Sequence, residues 1–363
     1  MKKNILVVDD SALMRRILCD IINADSNYEV TETCRNGQEA LDKLRTKTYD
    51  AMLLDVNMPV MDGIKLLEEL QKEKIQTTII MVSTLTTAEA DVTIRAMELG
   101  ATDFVTKPEN VMDAKGKDFS DNLLGIINAV LLSGNYKRSF VTPKVKTDIK
   151  PSVSSADSSS KSSSAVPTAK GSKLIALASS TGGPKALQSV IPYLPKNMDA
   201  PLVLVQHMPA GFTASMANRL NELSEVEVKE AEDGDVLKKG WVYIAPGGKH
   251  IRVVAGAAGH TIKLSDEPPI GGLRPCADIM YESLESSKFD SICCVVLTGM
   301  GADGTKGING LKKARGGIFT IAQNAETCVV YGMPKAIAES GAVNEVVPLE
   351  EVAKTIIKNV GVK

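Results

Sequence analysis

Five polar residues in the first third of the chain each follow a short apolar run. Asp9 and Asp10 follow Ile5–Val8, Asp55 follows Ala51–Leu54, Ser83 follows Thr78–Val82, and Lys107 follows Phe104–Thr106. If these runs are strands of one parallel sheet, all five groups share its carboxyl edge, where ligands bind. Three converging carboxylates repel one another unless a cation intervenes. A hard divalent ion such as Mg²⁺, which takes oxygen ligands, relieves that repulsion. One acid can then attack a phosphoryl group. The cation and Lys107 neutralise the developing charge, and the Ser83 hydroxyl contacts a phosphoryl oxygen. Taken singly, Asp10 and Ser11 read as helix-cap residues; five groups at one edge are harder to dismiss.

A second set lies beyond residue 173. Ser179-Ser180-Thr181-Gly182-Gly183-Pro184 follows the apolar run Leu174–Ala178. The two glycines allow a sharp turn, and Pro184 suits the first position of a helix. A hydroxyl at such a turn is exposed, and main-chain N–H groups beside it can stabilise an anion. This is not the Gly-x-Ser-x-Gly elbow, and a Gly-Gly turn also serves as a phosphate cradle or simply as a turn. A serine nucleophile needs a base. Of three histidines, His207 directly follows the run Leu202–Val205 and Gln206, which places it at the same edge as Ser180. His260 falls in an expected surface hairpin, and His250 precedes a strand. Asp303 sits in the glycine-rich turn after Ile292–Leu297. It is either the N-cap of the next helix or the acid that orients the imidazole.

The elements that must position these groups can be read from periodicity. Before residue 140, strand and helix alternate five times, with strands at the runs above and at Tyr28–Thr33, and helices such as Ser11–Ala24 and Ala88–Leu99. That pattern implies a parallel sheet with helices on both faces. After residue 172 the alternation resumes: Leu174–Ala178, a helix from Pro184, Leu202–Val205, and a helix from about Thr213 to Leu223. A β-rich insertion is expected next, holding Trp241–Ala245 and the pair Ile251–Ala255 and Thr261–Leu264. A helix near Ala277–Glu285, the strand Ile292–Leu297, a helix near Lys306–Ala314 and Ile318–Ala322 complete the pattern. The two halves share no sequence repeat.

Between them, residues 151–172 hold ten serines and no aromatic residue. Such a stretch cannot bury enough apolar surface to offset its ordering entropy. Residues 140–172 therefore read as a flexible, disordered linker. Charge divides there too: residues 1–140 carry 17 basic and 22 acidic side chains, and 173–363 carry 20 of each. The whole chain has 363 residues, a formal net charge of −2 and 4% aromatic residues. Neither a basic field nor stacking aromatics favour nucleic acid, and no apolar run is long enough to insert in a membrane. The acids soon after the N-terminus do not suit a signal peptide. Six cysteines without a C-x-x-C pair read as buried reduced thiols, which suits a reducing cytosol.

The first region resembles response-regulator receiver domains. The resemblance rests on Val7-Val8-Asp9-Asp10-Ser11, on Leu53-Leu54-Asp55-Val56-Asn57-Met58-Pro59-Val60-Met61-Asp62-Gly63, on Val82-Ser83 and on Phe104-Val105-Thr106-Lys107-Pro108. It implies a flavodoxin-like five-stranded fold over residues 1–125, with a helical extension to about 139. It implies phosphorylation of Asp55 by a histidine kinase, and Mg²⁺ held by Asp9, Asp10, Asp55 and the carbonyl of Asn57. Ser83 and Lys107 would contact the phosphoryl group, and Phe104 falls where such domains often keep an aromatic switch residue.

Residues 172–360 resemble the catalytic domain of the CheB family of chemotaxis protein-glutamate methylesterases, which assigns 173–363 to that domain. The matching motifs are Ser180-Thr181-Gly182-Gly183-Pro184, Gln206-His207-Met208-Pro209-Ala210-Gly211-Phe212-Thr213, Ala245-Pro246-Gly247, Arg274-Pro275 and 297–304. The resemblance implies a Rossmann-like domain, so that the chain is two doubly wound parallel-sheet α/β domains on a tether. It implies a Ser180, His207, Asp303 triad, with the Met300 N–H as an oxyanion donor and Thr181 as a neighbour of the site. The family usually has Gly-Ala before the nucleophile, where this chain has Ala178-Ser179. Ser179 is thus a rival by composition, although the register with Thr181-Gly182-Gly183 favours Ser180. The implied chemistry is demethylation of chemoreceptor glutamate esters with methanol release, and deamidation of receptor glutamines, without a cofactor for the ester step. A cytoplasmic place near receptor clusters follows. The alternatives are a receiver-controlled acyltransferase or amidase on another protein, or a non-catalytic signalling adaptor. A transcription factor would need a basic output domain, and 173–363 is neutral.

Overall fold

The computed structural model describes residues 2–108, 110–114, 116–132, 171–256 and 259–362. The first part runs β1 (Lys3–Val8), α1 (Ala12–Ala24), β2 (Tyr28–Cys34), α2 (Gly37–Leu44), β3 (Ala51–Asp55), α3 (Gly63–Lys72), β4 (Thr78–Ser83), α4 (Thr87–Glu98), β5 (Asp103–Thr106), α5 (Val111–Ala114) and α6 (Lys117–Leu132). Its five strands are parallel in the order β2-β1-β3-β4-β5. The central strands β3 and β4 are buried along their whole length, as expected where helices cover both faces. Local chemistry sets the helix starts. Side chains of Ser11, Asn36, Asp62 and Thr86 cap α1 to α4 by accepting a main-chain N–H three residues on. One face of α6 closes the core with Phe119, Leu123 and Ile127.

The second part runs β6 (Lys173–Ser179), α7 (Gly183–Gln188), β7 (Leu202–Gln206), α8 (Phe212–Leu223), β8 (Glu227–Glu230), β9 (Trp241–Ile244), β10 (His250–Gly256), β11 (Gly259–Ser265), α9 (Ala277–Ser283), β12 (Ser291–Val296), α10 (Thr305–Ala314), β13 (Ile318–Gln323), α11 (Met333–Glu339), β14 (Glu345–Val347) and α12 (Leu349–Val360). Seven parallel strands form one sheet in the order β14-β13-β12-β6-β7-β9-β8. Chain order reverses between β6 and β12, so the crevice at their carboxyl ends is the topological switch point where such sheets bind ligands.

The expected strands are present, with one correction. Trp241–Ile244 is not part of an insertion: it pairs in parallel with β7 inside the main sheet. Among the described residues of this part, only the antiparallel hairpin of β10 and β11 stands apart. The edge strands β8 and β14 and the helices α11 and α12 were not anticipated. Of the expected helical extension, α6 is described to Leu132. The remainder to about 139, and nearly all of the proposed linker, lie outside the described residues.

Candidate active site and phosphoryl pocket

The turn after β6 is shaped by close approaches. Gly182 has φ +75°, and a Cβ there would meet Val329 at 2.5 Å. Gly299 lies so near Ser180 that an added Cβ would stand 2.7 Å from the serine Cβ. Ser180 N donates to Thr298 O at 3.0 Å, and Thr298 Oγ1 donates to Thr181 O at 2.9 Å, which ties this turn to the end of β12. The two serines differ sharply. Ser179 is fully buried and its hydroxyl donates to Gln206 Oε1 at 2.7 Å. Ser180 is half-buried and lines a cavity of about 550 Å³ with His207, Met300 and Asp303.

His207 leaves the end of β7 and turns Nε2 to Asp303 Oδ2 at 2.7 Å. Asp303 is held from several sides. Its Oδ2 also accepts Ala277 N at 2.7 Å; its Oδ1 accepts Asp278 N at 2.9 Å, Gly304 N at 2.9 Å and the Cys276 thiol at 3.1 Å. The carboxylate therefore caps α9, whose N-terminal dipole favours a negative charge. Burial acts to raise the Asp303 pKa. The hydrogen bond and charge of His207, with the N–H groups of Ala277 and Asp278, outweigh burial and hold it down at about 2. Among the described residues no hydrogen bond joins Ser180 to His207. Met300 is exposed, and its N–H has no main-chain partner among the described residues. Thr181 lines the cavity beside Ser180. The other two histidines are engaged elsewhere. His250 is fully buried, and His260 is not a free surface residue: it stacks on Phe289 at 3.8 Å and accepts from Lys288 N.

At the other sheet, carboxylate oxygens of Asp9, Asp10 and Asp55 lie within 4.8 Å of one another. Lys107 Nζ bridges Asp9 at 2.8 Å and Asp55 at 2.7 Å. Burial, with Asp9 adding to it, pushes Asp55 up to about 6 although Lys107 opposes the rise. Ser83 Oγ is buried and finds no hydrogen-bond partner among the described residues. The Asn57 side chain is exposed and donates to Glu89 at 2.8 Å. A clustered set of hard oxygen donors beside an orphaned hydroxyl fits a divalent cation and a phosphoryl group.

The expected groups thus assemble at two carboxyl edges. The family model for CheB methylesterase matches residues 175–356, and that for the response regulator receiver domain matches residues 5–115. The chain belongs to the CheB methylesterase family. The protein-glutamate methylesterase/protein-glutamine glutaminase of Halalkalibacterium halodurans is 42% identical over 98% of this chain and 97% of its own length. The protein of the same name from Bacillus subtilis is 40% identical over 97% of each. Among solved structures, the Thermotoga maritima CheB methylesterase catalytic domain is similar at 45% identity, covering 52% of this chain and 98% of that one, with a TM-score of 0.49.

In this family member the receiver and α6, which extends it, wall one side of the Ser180 cavity with Asp103, Phe104, Asp121, Gly125 and Ile126. Phe104 stacks on Phe212, with centroids 4.5 Å apart and planes 16° apart. Arg219 grips Glu98 through two hydrogen bonds of 2.5 and 2.9 Å. The Asp103 carboxyl is buried against Thr181 and Gly182, and among the described residues its Oδ2 closes no hydrogen bond of ordinary length. Burial pushes Asp103 up to about 7, against the N–H groups of Phe104 and Gly182 and the Thr181 hydroxyl. Sequence reading missed this contact and the Cys276 thiol, since neither carries a local motif. Among the described residues no helix is long and apolar enough to cross a membrane.

Proposed function

We propose that this chain is a phosphorylation-controlled methylesterase that hydrolyses glutamate methyl esters on chemoreceptors, with Ser180, His207 and Asp303 as its triad. The observation that carries the reading is the 2.7 Å contact of His207 with Asp303 at a cavity that Ser180 also lines. Asp303 fixes the tautomer with hydrogen on Nε2, which leaves Nδ1 to take the Ser180 proton. The serine oxygen bonds to the ester carbon, and the Met300 N–H stabilises the oxyanion. The methoxy group leaves with the proton from His207 as methanol. Water, deprotonated by the same imidazole, then cleaves the acyl-enzyme to glutamate and free Ser180. Receptor glutamine follows the same route with ammonia as the leaving group. These steps use only side chains and main-chain N–H groups, and Thr181 lines the site without taking part in proton transfer.

Residues 1–125 are assigned to the receiver, with an extension to about 139, 140–172 to a tether and 173–363 to the esterase. Asp55 accepts a phosphoryl group from a chemotaxis histidine kinase, and Lys107 and Ser83 contact it. Asp9, Asp10, Asp55 and the Asn57 carbonyl are the residues to hold Mg²⁺, which when bound supplies charge neutralisation at the phosphoryl oxygens. Modification of Asp55 shifts the receiver away from the Ser180 cavity and opens it to a receptor helix. The enzyme works in the cytoplasm beside receptor clusters. A serine-directed fluorophosphonate probe tests the nucleophile. Mass spectrometry should find the label on Ser180, with slower labelling in His207→Ala; label on Ser179, or none, contradicts the reading.

A further inference from the structure

Among the described residues Asp303 has five hydrogen-bond donors, and four of them are the partners of an ordinary triad acid: one imidazole and three main-chain N–H groups. The fifth is a side chain with no assigned part. Cys276 immediately precedes α9, yet its thiol does not cap that helix. It points instead to Asp303 Oδ1 at 3.1 Å. We propose that the Cys276 thiol is a positioning group for the ester chemistry, donating to Asp303 Oδ1 and so fixing the carboxylate plane that presents Oδ2 to His207. The inference rests on the triad reading and adds a residue to it.

Three observations support the role. Cys276 is buried, with 1% of its surface exposed, so water does not compete for the thiol. Burial first, and then the negative charge of Asp303, push the thiol up to about 12. It therefore stays protonated, as a donor rather than a nucleophile. Its main chain is held as well: Cys276 N donates to Nδ1 of the fully buried His250 at 3.2 Å, and His250 Nε2 lies 3.2 Å from Pro268 O. With Nδ1 accepting, His250 carries its hydrogen on Nε2. The chain of contacts from Pro268 through His250 and Cys276 to Asp303 thus locks the acid's rotamer from behind, as outer partners do for reactive groups elsewhere.

The test compares full-length Cys276→Ala, Cys276→Val and Cys276→Ser with wild type in methanol release from methylated receptor membranes. Removing one donor from a charged acceptor should lower kcat by about three- to tenfold with KM unchanged. It should also move the acid limb of kcat/KM to higher pH, because a less hydrogen-bonded carboxylate stabilises the imidazolium more strongly. The valine variant keeps the volume without the donor and should behave like alanine. Serine restores a donor and should recover both rate and pH profile. That pattern supports the assignment. Wild-type kcat and acid limb in Cys276→Ala or Cys276→Val overturn it, as does a serine variant as impaired as alanine. Ser180→Ala in the same assay tests the underlying reading separately. If it remains active, the triad reading fails whatever position 276 does.

Discussion

His207 Nε2 lies 2.7 Å from Asp303 Oδ2, so the acid engages the ε nitrogen of the imidazole and not Nδ1. The two residues are 96 positions apart in the chain, joined because β7 and β12 flank β6. Asp303→Asn keeps the shape but places an amide where, in the proposed mechanism, the carboxylate holds the tautomer. Its kcat should fall by about 10³- to 10⁴-fold. A loss of less than tenfold in steady-state kinetics would remove Asp303 from the triad.

The same carboxylate, the proposed triad acid, also couples stability to low pH. Its pKa, near 3.8 when unperturbed, is held at about 2 in the fold. A depressed carboxylate contributes stability above about pH 4 that is lost as pH falls towards 2. Denaturant unfolding of wild type should lose a component in that window that Asp303→Asn lacks. Equal pH slopes in the two proteins would contradict the assignment.

The receiver contact should restrain the unphosphorylated enzyme. Phe104 and Phe212 stack with their planes 16° apart, and stacked aromatic pairs are worth about 0.5–1.5 kcal/mol beyond area burial. The Arg219–Glu98 pair is partly exposed and weaker. Phe104→Ala should raise basal methanol release by about two- to tenfold, within the range of that stacking energy. Glu98→Ala should raise it by about two- to fivefold, as expected for an exposed ion pair. Unchanged basal rates in both would mean that these contacts do not restrain the esterase.

Asp103 should make that restraint pH-dependent. Its carboxyl is raised to about 7 by burial in the closed contact. The closed form is therefore favoured below about pH 4 and loses that advantage as pH rises through about 7. The ratio of basal to phosphorylated activity should climb between pH 6 and 8 in wild type. Asp103→Asn, which stays neutral, should flatten the climb. An identical climb in the variant would place the pH response elsewhere.

Much of this molecule was legible in its sequence because chemistry-bearing residues follow apolar runs. Asp9, Asp55, Ser83 and Lys107 each end or follow a parallel, largely buried strand, and His207 does the same. Strand β8 was not legible because Glu227-Val228-Lys229-Glu230 at the sheet edge buries only Val228 fully. Trp241–Ile244 was legible as a strand but not as a member of the main sheet, since pairing partners are set by tertiary packing. Cys276 and Asp103 carry no motif. Their meaning comes from contacts across 27 residues in one case and across the two domains in the other.

The central claim is that Ser180 performs ester hydrolysis under the control of Asp55. Methanol release from methylated receptor membranes, with and without a small phosphodonor and Mg²⁺, tests it in one assay on wild type, Ser180→Ala and Asp55→Asn. Wild type should rise with phosphodonor, Asp55→Asn should stay at its basal rate, and Ser180→Ala should release at least about a thousandfold less under both conditions. Near wild-type release by Ser180→Ala, or full activation of Asp55→Asn, would contradict the account.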